Sequence, residues 1–73
     1  MKEQLLEILN KLLTSIGVDP IAELEDHLDL RKDLEIDSIS YAELIVRLEE
    51  GFGVNVNDAG KVNTIGDIVN RLS

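Results

Sequence analysis

Apolar residues recur every three or four positions along the first part of this 73-residue chain, a spacing that predicts an amphipathic α-helix. Gly17 follows this pattern at the place where a left-handed C-terminal cap is expected. A chain this short builds only one small core, so its elements must be regular and well packed. The apolar positions of the first predicted helix are Leu5, Leu6, Ile8, Leu9, Leu12, Leu13 and Ile16.

Three more helices are predicted farther along the chain. The second runs from about Ser38 to Glu50, and Ser40 with Glu43 fits a capping box at its start. Residues 18–36 lack a helical period, which predicts a long connection before this helix. The remaining signals are a cap at Asn57-Asp58 for a very short helix through Lys61, a cap at Thr64 for the last helix, and an apolar face of Ile65, Ile68, Val69 and Leu72.

These elements predict an all-α fold. We expect a small four-helix bundle, made of three main helices and one short helix, with a long loop between helices one and two. No repeat or linker interrupts the chain, so we expect a single domain over residues 1–73.

The chain has 15 Asp and Glu against 7 Lys and Arg, and its net charge of −8 is unevenly distributed. Residues 18–50 contain eleven acids and three bases, whereas the segments on either side are balanced. Such a concentration of charge favours docking of a basic partner, although it also keeps a small protein in solution. The acidity, together with only two aromatic residues, Tyr41 and Phe52, argues against nucleic-acid binding.

Several functional classes lack the residues that they need. The chain has no Cys and a single His, His27, so we expect no metal site. No segment approaches the ~20 apolar residues of a membrane span, and the start lacks the features of a signal peptide, which predicts a cytoplasmic protein. No acid, base and nucleophile can be assembled into a catalytic set. We therefore expect a non-catalytic protein whose partners supply any active site.

The second predicted helix has two apolar arcs where a surface helix needs only one. The core arc, which should face the interior, comprises Tyr41, Leu44, Ile45, Leu48 and Phe52. The second arc is bordered by carboxylates, as a transient docking surface is, although burial of both arcs would also explain the pattern. We call this second arc with its acidic border the docking strip: Ile39, Ala42, Val46, Glu43, Glu49 and Glu50.

Ser38 directly follows Asp37 where the second helix begins. The commonest role of such a serine is that of an ordinary helix-start hydroxyl. As a catalytic nucleophile it would need a base, and only His27 is available. Another enzyme could instead modify the hydroxyl, because the N-terminus of a helix favours an attached anion. Ser40 is the nearest rival hydroxyl.

The run LEIDSIS at 34–40, followed by Glu43-Leu44-Ile45 and by LEEGFGV at 48–54, resembles the acyl carrier proteins. The resemblance extends over nearly the whole chain. It implies a four-helix bundle in which Ser38 carries 4′-phosphopantetheine, with Asp37 as its motif neighbour. A phosphopantetheinyl transferase would transfer that arm from coenzyme A, and the thiol of the arm would hold acyl groups as thioesters.

The resemblance also implies how the protein would work with its partners. Acyl-transferring and chain-elongating enzymes with basic patches would dock on the docking strip of a monomeric carrier. An acyl chain would enter the bundle beside Tyr41, Leu44, Ile45 and Leu48.

The chain departs from the family pattern at positions that partner enzymes would recognise. Ile39 replaces the usual leucine after the serine, and Glu35-Ile36 stands where fatty-acid carriers often have a glycine and a small residue. Ser40 replaces a common acid, and Arg47 adds a positive charge to the docking helix. Fatty-acid and specialised pathways (polyketide, aminoacyl or lipid) therefore both stay open. The alternative from a different class is a small acidic helical adaptor without a prosthetic group.

Overall fold

A computed structural model describes the whole chain, Met1–Ser73, and contains three α-helices. α1 spans Lys2–Ser15, α2 spans Ser38–Phe52 and α3 spans Ile65–Leu72. The predicted all-α class is confirmed, and the β structure is limited to an isolated bridge between Asp29 and Thr64. The helix count differs from the expected four. None of the three helices combines the length and the hydropathy needed to cross a bilayer.

The short helix predicted at 57–61 is replaced by turns over residues 56–59. The N–H groups of Asp58 and Gly60 donate to the carbonyl oxygens of Asn55 and Asn57, three residues back, at 3.1 Å each. Gly60 has a φ of +115°, outside the helical region, so the turns cannot continue as a helix.

Glycine ends α1 as the sequence predicts. Gly17 has a φ of +82°, and its N–H donates to the Thr14 carbonyl oxygen at 3.2 Å. The Val18 N–H donates to the Leu13 carbonyl oxygen at 2.8 Å. This pair of hydrogen bonds is a Schellman motif, which satisfies carbonyl groups at the helix end.

α2 begins at Ser38 as predicted, but its N-terminal cap and its last residues differ from those predicted. Asp37 is the N-cap, and its Oδ1 accepts the Ser40 N–H at 2.8 Å, so the predicted capping box of Ser40 and Glu43 is wrong. At the other end α2 continues through Gly51 to Phe52 and is capped by Gly53, which has a φ of +70°. Helix α2 therefore begins with an aspartate cap directly before Ser38.

Gly51 lies inside α2, and its lack of a side chain allows α1 to come close. A Cβ at this position would lie 2.9 Å from Ile8 Cδ1 and 3.3 Å from Gln4 Nε2. The same Gln4 amide donates to the Gly51 carbonyl oxygen at 3.0 Å. The absent side chain thus allows close packing between the two long helices.

The core draws on the connections as well as on the helices. α1 contributes four of the thirteen buried residues, α2 and α3 contribute two each, and the connecting segments contribute five. In a chain of this size the loops must help to enclose the helices. The buried residues are Leu5, Leu9, Leu12, Leu13, Leu30, Leu34, Ile36, Leu44, Leu48, Val56, Val62, Ile65 and Ile68.

Hydrogen bonds hold the connection between α1 and α2 at two places. The Asn10 side chain donates to the Ile21 carbonyl oxygen and accepts the Ile21 N–H, each at 2.9 Å. Farther along, residues 26–30 exchange backbone hydrogen bonds with residues 63–66, including the Leu30 N–H to the Asn63 carbonyl oxygen at 2.9 Å. These contacts bring the 61–63 segment beside the start of α2.

Three carboxylates that accept backbone N–H groups make the fold sensitive to acid, because these bonds hold each pKa below its ordinary value. Since the folded pKa is the lower one, this stabilisation is fully present above the unfolded pKa of about 4 and is lost as the pH falls through the folded value. Urea midpoints should therefore be level between about pH 5 and 7 and fall below about pH 4. The carboxylates, each with its principal N–H donor, are Asp29 with Lys32, Asp37 with Ser40 and Asp67 with Asn63.

The variant Asp67→Asn tests this cause, because its amide oxygen still accepts a hydrogen bond but does not titrate. Its urea midpoint should fall less between pH 5 and pH 3 than that of the wild type. An equal fall in both proteins would contradict the assignment.

Candidate functional site

Ser38 is the first residue of α2, and its side chain is exposed. The neighbouring Asp37 carboxylate accepts the Ser40 N–H, and no hydrogen bond joins it to the Ser38 hydroxyl. The N-terminus of a helix carries partial positive charge and favours anions. The local structure thus presents an accessible hydroxyl at a place suited to an attached anion.

Ser38 lies at the edge of a cavity of about 300 Å³ between the start of α2 and the 29–32 and 61–63 segments. Seven of its eleven lining residues are polar or charged, so it differs from an interior apolar pocket. The apolar lining residues are Leu30, Ile36, Tyr41 and Val62, and the others are Asp29, Arg31, Lys32, Asp37, Ser38, Lys61 and Asn63.

A turn organised by Asp29 brings two cations to this cavity. Asp29 Oδ1 accepts the N–H groups of Arg31 at 2.9 Å and Lys32 at 2.8 Å. The hydrogen bond from the Lys32 N–H is the main reason that the pKa of Asp29 is lowered, and the charges of Lys32 and Lys61 add to it. Sequence reasoning missed this group of cations, although an Arg-Lys pair inside the acidic segment is a visible signal.

Glu35, in the segment before Ser38, departs from the family pattern and has an unfavourable backbone conformation. Its φ of +58° lies in the left-handed region, the only such value at a residue other than glycine. A side chain there costs roughly 1–2 kcal/mol. The fatty-acid carriers that the sequence resembles often have glycine at this position, which suits the same backbone conformation.

The docking strip lies on the surface. Ile39 is 80% exposed and Val46 is 55% exposed, whereas Leu44 and Leu48 of the core arc are fully buried. The other members of the strip, Ala42, Glu43, Glu49 and Glu50, are exposed as well. The alternative in which both arcs are buried is therefore wrong.

Arg47 alters the charge pattern of the strip. Its guanidinium lies 2.7 Å from Glu43 Oε2, one helical turn earlier. Glu49 and Glu50 take part in neither of the two ion pairs of the structure, which are Lys11–Glu7 and Arg47–Glu43. Within the docking strip, Glu49 and Glu50 are thus the two carboxylates without an ion pair.

Tyr41 links α2 to the segment that follows it, a role that the sequence did not indicate. Its hydroxyl accepts the Val62 N–H at 3.0 Å and donates to Asn57 Oδ1 at 2.6 Å. The Lys61 ammonium lies 5.3 Å from the centre of its ring, within cation–π range. Tyr41 therefore supports the wall of the cavity beside Ser38.

Replacing Tyr41 by phenylalanine tests this role. The Val62 N–H, on a residue that is only 1% exposed, would lose its acceptor. An unsatisfied buried donor costs about 1–3 kcal/mol, so we expect the free energy of unfolding in urea to fall by this amount. Asn57→Ala, which removes only the exposed partner, should cost less. Equal stability of Tyr41→Phe and the wild type would contradict the role.

The residues predicted to line an acyl cavity differ in their surroundings. Only Tyr41 lines the cavity beside Ser38. Leu44 and Leu48 are fully buried in the packed core, and Ile45 is half-buried against it. Their helix positions turn them toward the core, so an acyl chain that entered there would have to displace packed side chains.

The comparisons agree with the geometry. The family model described as "Phosphopantetheine attachment site" matches residues 3–72. An acyl carrier protein of Acidothermus cellulolyticus is 30% identical over 74 aligned positions, covering 99% of this chain and 88% of that protein. An acyl carrier protein of Rubrobacter xylanophilus is 35% identical over 74 positions, covering 97% of this chain and 90% of that protein. No solved structure matches the chain significantly.

The family match fits the chemistry of the site. A phosphopantetheine arm joined to a hydroxyl carries a phosphodiester anion, which suits the N-terminus of α2 and the cations of the cavity. The match includes almost all of α1 and the whole of α2 and α3, and the two relatives are aligned over nearly their whole length. The chain therefore belongs to the acyl carrier protein family, whose members carry a phosphopantetheine arm.

Proposed function

We propose that this protein carries acyl groups as thioesters on a 4′-phosphopantetheine arm attached to Ser38. The observation that carries the proposal is the exposed hydroxyl at the N-terminus of α2, beside a cavity lined by three cations. When bound, the arm supplies a thiol, a group that no residue of this chain has. The protein is a carrier and a substrate of its partners, and it catalyses no step itself.

Partner enzymes bind to the docking strip. A phosphopantetheinyl transferase and the acyl-transferring and chain-elongating enzymes present basic patches to its carboxylates and an apolar surface to Ile39 and Val46. The exposure of these two side chains, in a protein with a net charge of −8, supports this arrangement. A carrier must leave each partner in turn, so the contacts are weak and sensitive to salt. The carrier works as a monomer in the cytoplasm.

The cargo belongs to fatty-acid biosynthesis or to a related specialised pathway. Arg47 and Ser40 make the docking helix less acidic than the family pattern, so a specialised pathway stays open beside fatty-acid biosynthesis. The family membership supports the acyl thioester itself. Intact mass of protein purified from its native source would identify both the arm and its cargo.

Incubation with a phosphopantetheinyl transferase and coenzyme A tests the function directly. A carrier gains the mass of a single phosphopantetheinyl group, detected by intact mass spectrometry. A small acidic adaptor gains none, and that result would overturn the proposal.

An apolar acyl chain of medium length should enter the bundle between α2 and its neighbours. Each CH₂ removed from water contributes ~0.8 kcal/mol, which offsets the displacement of packed side chains. We expect methyl NMR shifts of Leu44, Ile45 and Leu48 to change in the acyl form relative to the form with a free thiol. An acetyl form is the control and should leave them unchanged. Shift changes confined to the outer surface in the medium-chain form would contradict entry.

A further inference from the structure

Three cations lie around the candidate attachment serine in a strongly acidic protein. Arg31, Lys32 and Lys61 all line the cavity at whose edge Ser38 lies. None of the three takes part in the two ion pairs of the structure. Their charges therefore face the cavity without a carboxylate in direct contact.

The remaining cations of the chain are placed elsewhere. Lys11 and Arg47 form the two ion pairs, and Arg71 donates to the backbone carbonyl oxygens of Val56 and Gly60. Lys2 lies at the start of α1. Three of the seven Lys and Arg residues are thus gathered at one cavity although the net charge is −8.

Contacts within the chain hold the three cations in position. Asp29 Oδ1 binds the backbone N–H groups of both Arg31 and Lys32, and Lys61 lies over the Tyr41 ring. The two carboxylates of the lining, those of Asp29 and Asp37, are both occupied by backbone N–H groups. Since the lining has three cations and two carboxylates, it retains one net positive charge.

We propose that Arg31, Lys32 and Lys61 bind the phosphodiester of the arm attached to Ser38, and so hold the base of the arm against the cavity. The inference rests on the proposed function. The phosphorus would be bonded directly to Ser38 Oγ, so its anionic oxygens would lie where the cations and the N-terminus of α2 meet. Phosphate oxygens accept strong hydrogen bonds from both Arg and Lys.

Phosphorus NMR of the arm-bearing protein tests this contact without any activity measurement. The test variant is Arg31→Gln with Lys32→Gln, and the control is Lys2→Gln with Lys11→Gln, which removes the same charge far from the cavity. At low salt the ³¹P line of the wild type and of the control should be broad, as for a group that tumbles with the protein. The line of the test variant should be at least about twofold narrower, and adding 1 M NaCl should narrow the wild-type line toward it. Lys61→Gln should narrow it as well.

Stability provides a second measurement. Attachment of the arm should raise the folding equilibrium constant of the wild type by roughly two- to fivefold for each cation in contact, and the test variant should lose most of this gain. Equal linewidths and equal gains in all the proteins would overturn the inference alone. A wild type that gains no arm mass would overturn the proposed function as well, and intact mass distinguishes the two failures.

Discussion

Replacing Ser38 by alanine should abolish uptake of the phosphopantetheine arm from coenzyme A. The substitution removes the only atom of this residue that can form the phosphodiester bond, and no other hydroxyl lies at the first residue of α2. The fold should persist, because the Ser38 side chain is exposed and the cap of the helix belongs to Asp37. We expect the free energy of unfolding to change by less than about 0.5 kcal/mol. Intact mass and circular dichroism measure the two effects.

Ser40→Ala is the matched control, since Ser40 lies two residues farther along the same helix. It should accept the arm at the wild-type rate, because the principal hydrogen bond to the Asp37 carboxylate comes from the Ser40 backbone N–H, which the substitution keeps. Loading of Ser38→Ala, or failure of Ser40→Ala alone, would move the attachment site to the other serine.

Reversing the charge of Glu49 and Glu50 together should slow loading by the transferase about tenfold or more at low salt. Each exposed carboxylate contact is worth only ~0.2–1 kcal/mol, but reversal also places two repelling charges against a basic patch. The effect should shrink as salt is added. Folding should not suffer, since Lys residues near the C-terminal end of α2 interact favourably with the helix dipole.

Glu49 and Glu50 are a cleaner choice than Glu43. Reversal at Glu43 would also break its ion pair with Arg47 and would change the helix surface itself. Glu23→Lys with Glu25→Lys is the control, because both residues are exposed in the first connection and give the same net charge. At low salt, loading should be slower for the Glu49 and Glu50 pair than for the control pair. The difference should shrink as salt is added.

Two further substitutions test the apolar part of the strip. Val46→Glu should weaken docking more than Arg47→Glu does, because Val46 is 55% exposed inside the strip and Arg47 lies at its margin. Wild-type rates for Val46→Glu and for the Glu49 and Glu50 pair would mean that partners bind another face.

The sequence alone determined the parts of this protein that depend on local periodicity. The spacing of leucines predicted α1 and its glycine cap, and Thr64 marked the start of α3. The two arcs of α2 separated Leu44 and Leu48 in the core from Ile39 on the surface. Such features are readable because residues three and four apart share a helix face whatever the rest of the chain does.

Local signals were less reliable where two of them competed. Ser40 with Glu43 has the spacing of a capping box, yet Asp37 is the N-cap of α2. Asn57 offers a helix start, yet the following residues form turns that end at Gly60. In both places several residues can satisfy the same backbone groups, and the surrounding structure selects one of them.

Only the tertiary structure decided what surrounds Ser38. Arg31 and Lys32 precede it in the chain and Lys61 follows α2, so no sequence period relates them. They meet because backbone hydrogen bonds join residues 26–30 to residues 63–66, and because the Tyr41 hydroxyl binds the Val62 N–H. Contacts between such distant residues depend on how the whole core packs, whereas a helical period depends only on neighbours along the chain.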